Sequence, residues 1–599
     1  MYLFTMKLLE FEKKSIDNTK KPRPSINLTG ILRRILTKYW PYLILLVFWL
    51  SVILPWFLDS GFILLLDFIP VPHISRPPLS WQYAYLDGLL YRWPAWLISQ
   101  FFPAALTHKM LFSLPIALAG ISMYQLCSLV LSDKNRKIVA ASSLLAGLYY
   151  AYNPFITTRV FMGHVFFIYG YALLPWVVLS WLKFQQKPTL RPAFYLALFF
   201  VASVLFSQHH FILVPLLLLF LYQPVRPRTS PEKRSWLLLF FFVATVVTLA
   251  ITVYFSSDAR PNTLHPLGPW SRALLAPYSG SYAFDVLNLS ATWKIDLPFL
   301  FPWELRLAFG YISFLLLLIM ASGLWWLKHQ HHSKNLAIPL LLVILFSSFL
   351  AVGIAHPLIS PLAGWLYHHV PFWIGLRDSA KFLSILALVE SILLAVGVYS
   401  LTQLWTRHFR RVSPIIVPAT ALILVVYISS TAVYGYNNQI YPTSYPDSWQ
   451  EAQTWLADNH STPPSLLFLP WHMYLPFSFT QDRTIANPAS TYFTSAHVIV
   501  GNNNEVGGTF GRPFISAEYT DPTHQYIQQL LPDTSSFHDF GSRLSPLCMQ
   551  YIMLATDTRD VSNYDFLYNQ NDLEIVFSRQ DLIIWQNIAV QDNCKTTIL

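Results

Sequence analysis

Long apolar runs, broken by short polar stretches, recur along the first 434 positions and then stop. A bilayer core about 30 Å thick is crossed by a helix of roughly 20 mostly apolar residues. By that measure eleven segments read as spans: 40–57, 110–131, 138–152, 165–181, 192–206, 211–222, 236–255, 307–327, 337–354, 382–404 and 415–434. The third, fifth and sixth are short, and read either as spans extended into their flanks or as half-helices that dip and return. Just before the first span, ILRRILTKYW at 31–40 spaces apolar residues helically with cations between them. That pattern predicts a helix lying along the inner membrane surface before the chain turns upward. Beyond position 435 the apolar runs shorten. SLLFLP (465–470), YIMLA (551–555) and LIIW (582–585) read as strands and EAQTWLA (451–457) as a helix. The expectation is a mixed α/β domain over 435–599, large enough for a core of its own.

Composition agrees. Of 599 residues, 54% are hydrophobic and 12% charged, against about 25% charged in an ordinary soluble domain. Disorder, a coiled coil and a simple soluble enzyme are excluded, and a polytopic α-helical membrane protein remains. The net charge of +10 divides by position. Of the 40 Lys and Arg, 24 fall in residues 1–39 and in every second loop thereafter. Cationic loops stay cytoplasmic, so the N-terminus is expected inside and residues 435–599 outside. That outer segment holds six Lys and Arg against sixteen Asp and Glu. The charge therefore reports orientation and gives no support to nucleic-acid binding. Cys548 and Cys594, on the outer side, are either a disulfide or two thiols.

Chemistry is expected in the long outer loops 58–109, 256–306 and 355–381, which exceed the length of mere connectors. Asp67 follows five apolar residues in GFILLLDF. An outer-surface helix there would hold Asp67 just above the bilayer, desolvated and suited to act as a general base. The structural alternative is a capping or loop-tethering Asp. Asp59, directly after the first span, is the second candidate acid, and Asp87 in YLDGLLYRW reads as a turn residue or loop anchor. Arg159 and His164 flank the return into the fourth span. Arg suits bidentate phosphate recognition, and an interfacial Arg also snorkels to headgroups. Arg377 and Lys381 in GLRDSAKF stand four apart, so on a helix they would share a face and hold one phosphate, unless Asp378 pairs with either. Glu390 lies inside the tenth span, where an acid reads as a proton relay or cation site, or as a neutral hydrogen-bonded Glu in the bundle. A divalent metal between Asp67 and His209 is geometrically conceivable, but no paired-His ligand spacing supports it, and no cofactor motif occurs.

The whole layout resembles the GT-C superfamily of integral-membrane glycosyltransferases: N-terminus inside, many spans, a long first outer loop bearing an acid, and an outward C-terminal domain. At residue level the resemblance rests on LLLDF around Asp67 and LRDSAKF around Arg377. It implies a hexosyl- or pentosyltransferase using a polyprenyl-phosphate sugar and a glycan, lipid or protein acceptor at the outer face of the cytoplasmic membrane. Asp67 would deprotonate the acceptor hydroxyl in one inverting displacement, and Arg159 or Arg377 would stabilise the leaving phosphate. The first loop lacks the adjacent acidic pair that some members carry, which puts metal dependence and activity in question. The rival readings are a transporter or lipid flippase for envelope precursors, which Glu390 favours, and a non-catalytic envelope-assembly scaffold.

Overall fold

The computed structural model describes residues 28–77, 86–131, 135–222, 282–290, 303–329, 334–353, 356–370, 373–376, 378–409, 411–501, 504–506, 515–517, 522–531, 538–558, 561–590 and 594. The expected span 236–255, most of loop 256–306 and Arg377 lie outside the described residues. The chain divides into two compact units, Met1–Ile44 and Leu45–Leu599.

The membrane part is a set of apolar helices: α1 (Leu28–Leu58), α2 (Leu86–Ser99), α3 (Ala104–Val130), α4 (Arg136–Tyr152), α5 (Pro154–Phe161), α6 (Val165–Gln186), α7 (Leu190–Phe206), α8 (His210–Phe220), α9 (Trp303–His329), α10 (Lys334–Val352), α11 (Leu383–His408) and α12 (Ile416–Ile428). Among the described residues five helices are long and apolar enough to cross a bilayer, or six if the pair bent by 51° after Ile428 is one span. Leu190–Phe206, His210–Phe220 and Leu336–Val352 are apolar but shorter. Helix α6 packs on α3 and α7, and α11 packs on α9 and α4. The α11 window is wholly buried, which explains an apolar sequence with no polar face.

One boundary differs from the sequence reading. α1 runs unbroken from Leu28 to Leu58, without the expected turn between a surface helix and the span. Residues 31–40 contain no Gly or Pro, and Pro41, at the expected turn, is accommodated inside the helix.

The region after 440 contains β2 (Pro442–Thr443), α13 (Asp447–Asn459), β3 (Ser465–Leu469), β4 (Tyr474–Pro476), β5 (Thr484–Ala486), β6 (His497–Ile499), β7 (Tyr551–Ala555), β8 (Leu573–Ser578) and β9 (Leu582–Asn587). Five strands form one mixed sheet in the order β8-β9-β7-β3-β6. β3 is parallel to β6 and β7, while β9 is antiparallel to β7 and β8. Alternate side chains of β3 enter two cores. Leu466 and Phe468 pack with Trp449 of α13, and Leu467 and Leu469 pack with Trp585 and Phe540 on the other face. Burial on both faces accounts for the continuous apolar run SLLFL. Cys548 and Cys594 form a disulfide.

This sheet region is knitted to the first outer loop. β1 (Phe62–Ile63) pairs antiparallel with β2. Phe62 and Leu64 belong to the same core as Trp449 and Phe468. Arg483 donates to the Leu64 carbonyl at 3.0 Å, and the Ala486 N–H to the Leu66 carbonyl at 2.7 Å. The surface helix expected around Asp67 is therefore corrected to a strand and a turn. Gly61, at φ +89°, turns the chain into β1, and a Cβ there would sit 2.7 Å from the Thr443 backbone.

Candidate functional site

Asp67 stands on a tight turn whose ends, Leu65 and Phe68, bond to each other through both backbone groups. Its own N–H donates to the Met162 carbonyl at 2.9 Å, which fixes the turn to the end of α5. The fit depends on Gly163. Its φ is +72°, and an added Cβ would lie 2.6 Å from the Phe68 backbone nitrogen.

The sequence around α5 explains its length. Asn153 caps the helix by accepting from the Ile156 N–H, and Pro154 occupies the first helical position, where no N–H is needed. Arg159 falls in the last turn, where a cation complements the helix dipole. The chain then leaves α5 and starts α6 directly after His164. Eight helical residues thus place Arg159 and His164 beside the Asp67 turn.

The side chains form a continuous relay. Tyr474 Oη, on β4, donates to Asp67 Oδ1 at 2.9 Å. His164 Nε2 lies 2.9 Å from Asp67 Oδ2, and His164 Nδ1 lies 3.2 Å from Arg159 Nη1. Because a carboxylate only accepts and a guanidinium only donates, His164 carries its proton on Nε2 and accepts at Nδ1. Arg159 Nη1 also donates to Asp378 Oδ2 at 2.7 Å. Phe155 and Phe167 stack against the guanidinium, with ring centroids 5.1 and 5.5 Å away. Burial works against ionised Asp378, but Arg159 above all, then Lys381, outweigh it and hold its carboxyl at about 2.

Alongside this relay, Lys381 Nζ donates to His209 Nε2 at 2.7 Å, and His209 Nδ1 bonds Ser207 Oγ at 3.1 Å. Lys381 sits in a 3-10 turn, Ser379–Phe382, that precedes α11. The α-helical geometry of α11 starts only at Leu383, after Lys381, and Arg377, expected to share a helical face with Lys381, lies outside the described residues. Asp378 pairs with Arg159.

Three expectations change with this geometry. The Asp67 side chain is 36% exposed and held by Tyr474 and His164, where the sequence reading expected a desolvated carboxylate. Arg159 is only 3% exposed, and its Nη1 serves Asp378 and His164. That nitrogen is thus committed to a positioning pair, where the sequence reading expected a phosphate contact, while Nε has no hydrogen-bond partner among the described residues. Asp87 lies in the first turn of α2 instead of a loop. Asp59 is exposed after α1, and its backbone carbonyl accepts from Lys109 at 2.7 Å. Glu390 is buried in α11 and accepts from Tyr149 Oη at 2.9 Å. Among the described residues no three His, Cys, Asp or Glu side chains converge as a metal-ligand group. Asp67 and His209, the pair considered for a metal, have different partners, and the proton on His164 Nε2 faces the carboxylate in a ligand's place.

Tyr474 was not legible as a site residue, since 407 positions separate it from Asp67. His209 was legible as an outer histidine but not as the neighbour of Lys381.

Neither a protein family nor a curated protein matches this sequence. Among solved structures, it is similar to the arabinofuranosyltransferase AftD from Mycobacteria, determined by single-particle cryo-EM, with a TM-score of 0.59 over 94% of this chain at 14% identity. The chain has a GT-C fold. It spans about 40% of the AftD chain. The GT-C likeness runs through the membrane helices and the sheet region alike, because 94% coverage takes in both. The expected architecture, a multi-pass helical membrane part joined to a sheet-containing C-terminal region, is thereby found, with five or six long spans described.

Proposed function

We propose that this protein is a membrane glycosyltransferase that moves a sugar from a polyprenyl-phosphate donor to an acceptor hydroxyl at the outer face of the cytoplasmic membrane, with its N-terminus inside. The observation that carries the reading is the hydroxyl of Tyr474 resting on Asp67 Oδ1 at 2.9 Å. An acceptor sugar hydroxyl taking that place would be oriented on a carboxylate ready to receive its proton. The acceptor oxygen forms the new bond at the anomeric carbon as the carbon–oxygen bond to phosphate breaks, with inversion. The proton goes to Asp67, and the electron pair leaves with the lipid phosphate. Lys381, with His209 beside it, stabilises the charge growing on that phosphate. His164 fixes Asp67 through Oδ2, and the Arg159–Asp378 pair fixes His164. Asp59, Asp87 and Glu390 have no part in this step.

The activity in the AftD name makes a pentose the first donor to try. Purified protein in lipid nanodiscs, given radiolabelled polyprenyl-phosphate pentose or hexose and an oligosaccharide acceptor, is expected to yield labelled glycan and free polyprenyl phosphate in equal amounts. Movement of unaltered lipid-linked sugar across a proteoliposome membrane, without transfer, would support the flippase reading instead. Neither transfer nor movement would leave the scaffold.

A further inference from the structure

At the end of the membrane part away from Asp67, a cavity of about 570 Å³ opens between α3, α6 and α7. Along α6, Lys183 follows His164 by 19 positions, which is about 28 Å at 1.5 Å per residue. The cavity is therefore near the opposite membrane face and takes no part in the Asp67 site. Its lining has a gradient. Lys183 and Arg191 flank the short α6–α7 connection, while Trp176, Phe199 and Gln125 line the deeper part. Trp176 precedes Lys183 by two helical turns, about 10 Å. Phe199 follows Arg191 by a similar distance on α7, and the two rings stack with centroids 5.3 Å apart. Gln125 Oε1 accepts from Trp176 Nε1 at 3.0 Å and fixes that ring. Arg191 lies over the Tyr195 ring, 6.0 Å from its centroid.

The mouth favours an anion for a second reason. The first turn of α7 has no side-chain cap, so the N–H groups of Leu190 and Arg191 and the positive end of its dipole face the same end as Lys183 and Arg191. The flank is apolar: Phe194, Tyr195 and Leu198 are 51%, 39% and 46% exposed on α7. A soluble anion would gain nothing from that flank or from the Trp176–Phe199 floor. A zwitterionic headgroup would bring a second cation against two cations already there.

We infer that this cavity is a binding site for one anionic glycerophospholipid of the cytoplasmic leaflet, its phosphate held by Lys183, Arg191 and the start of α7, and an acyl chain laid along Tyr195, Phe199 and Trp176. The site is independent of the transferase reading. The test is a titration of the purified full chain, in micelles of uncharged detergent, with dioleoyl-phosphatidylglycerol, dioleoyl-phosphatidylcholine or inorganic phosphate, read by the thermal unfolding midpoint. Phosphatidylglycerol is expected to raise the midpoint saturably, while phosphatidylcholine and phosphate leave it in place. In Lys183→Gln/Arg191→Gln the apparent affinity for phosphatidylglycerol should fall at least about ten-fold, and Lys183→Arg should retain it. Equal effects of the two lipids would overturn the inference. So would a shift reproduced by phosphate alone, or an affinity unchanged in the double variant. The wild-type comparison of the three ligands decides the matter even if a variant folds poorly.

Discussion

Asp67 binds a hydroxyl on one oxygen and an imidazole on the other, and the two contacts come from opposite parts of the chain. The first is the one a substrate would replace. Tyr474→Phe should therefore lower the acceptor KM about five-fold, the worth of roughly one hydrogen bond, with kcat little changed. A loss of kcat at constant KM in steady-state assays would instead make Tyr474 part of the chemistry. The second contact depends on a buried ion pair. Asp378→Asn leaves Arg159 buried without its counter-charge, which should cost about 3–5 kcal/mol, while Arg159→Met/Asp378→Leu should cost less than the single change. Denaturant unfolding of the two variants checks this. Because Asp378 is held at about 2 in the fold, its contribution is present above the ordinary carboxylate range and is lost only as pH falls through about 2. Asp67, His164, Arg159 and Lys381 were legible in the sequence because a charged residue beside an apolar run is conspicuous. Their partnership was not, since no local pattern records that Asp378 lies 219 positions from Arg159 in sequence and 2.7 Å from it in space.

The turn that carries Asp67 is held by backbone contacts, and these make the strongest demand on a single element. At Gly163 any side chain meets both a positive φ and the Phe68 backbone. Gly163→Ala should thus displace the Asp67 turn and reduce transfer at least about 100-fold, the scale of losing a positioned base. Circular dichroism should show the helices retained. Near-normal activity in that variant would mean the turn does not set the geometry. The long helices among the described residues were legible from hydrophobic length, because a membrane span has to be apolar throughout. The GFILLLDF run was not, since a buried strand and a buried helix segment share one apolar pattern at this length. What decides between them is pairing with Pro442–Thr443, which lie far along the chain from Phe62–Ile63.

Across the whole molecule, the sheet region reaches the membrane part through Phe62, Leu64, Arg483 and Tyr474. Its α/β character was legible from short apolar strands, while its joining to the first outer loop was not, because Phe62 and Leu64 enter its core, and β1 pairs with β2, between segments too far apart in sequence for any local pattern to connect. Within it Asp557 is pushed up to about 6, chiefly by burial, against a hydrogen bond from Ser478. The folded protein thus keeps a proton that the unfolded chain releases, and this group makes stability fall as pH rises from the ordinary Asp range through about 6. Asp557→Asn should remove that slope, so the unfolding midpoints of wild type and variant should diverge as pH rises to about 6 and stay apart above it, with the variant more stable. The central claim, that Asp67 is the base of a sugar transfer, is tested most directly by the initial rate of label transfer from a polyprenyl-phosphate sugar by Asp67→Asn against wild type, both shown folded. The account predicts a fall of about 100- to 10,000-fold with donor binding retained. Equal rates would contradict it.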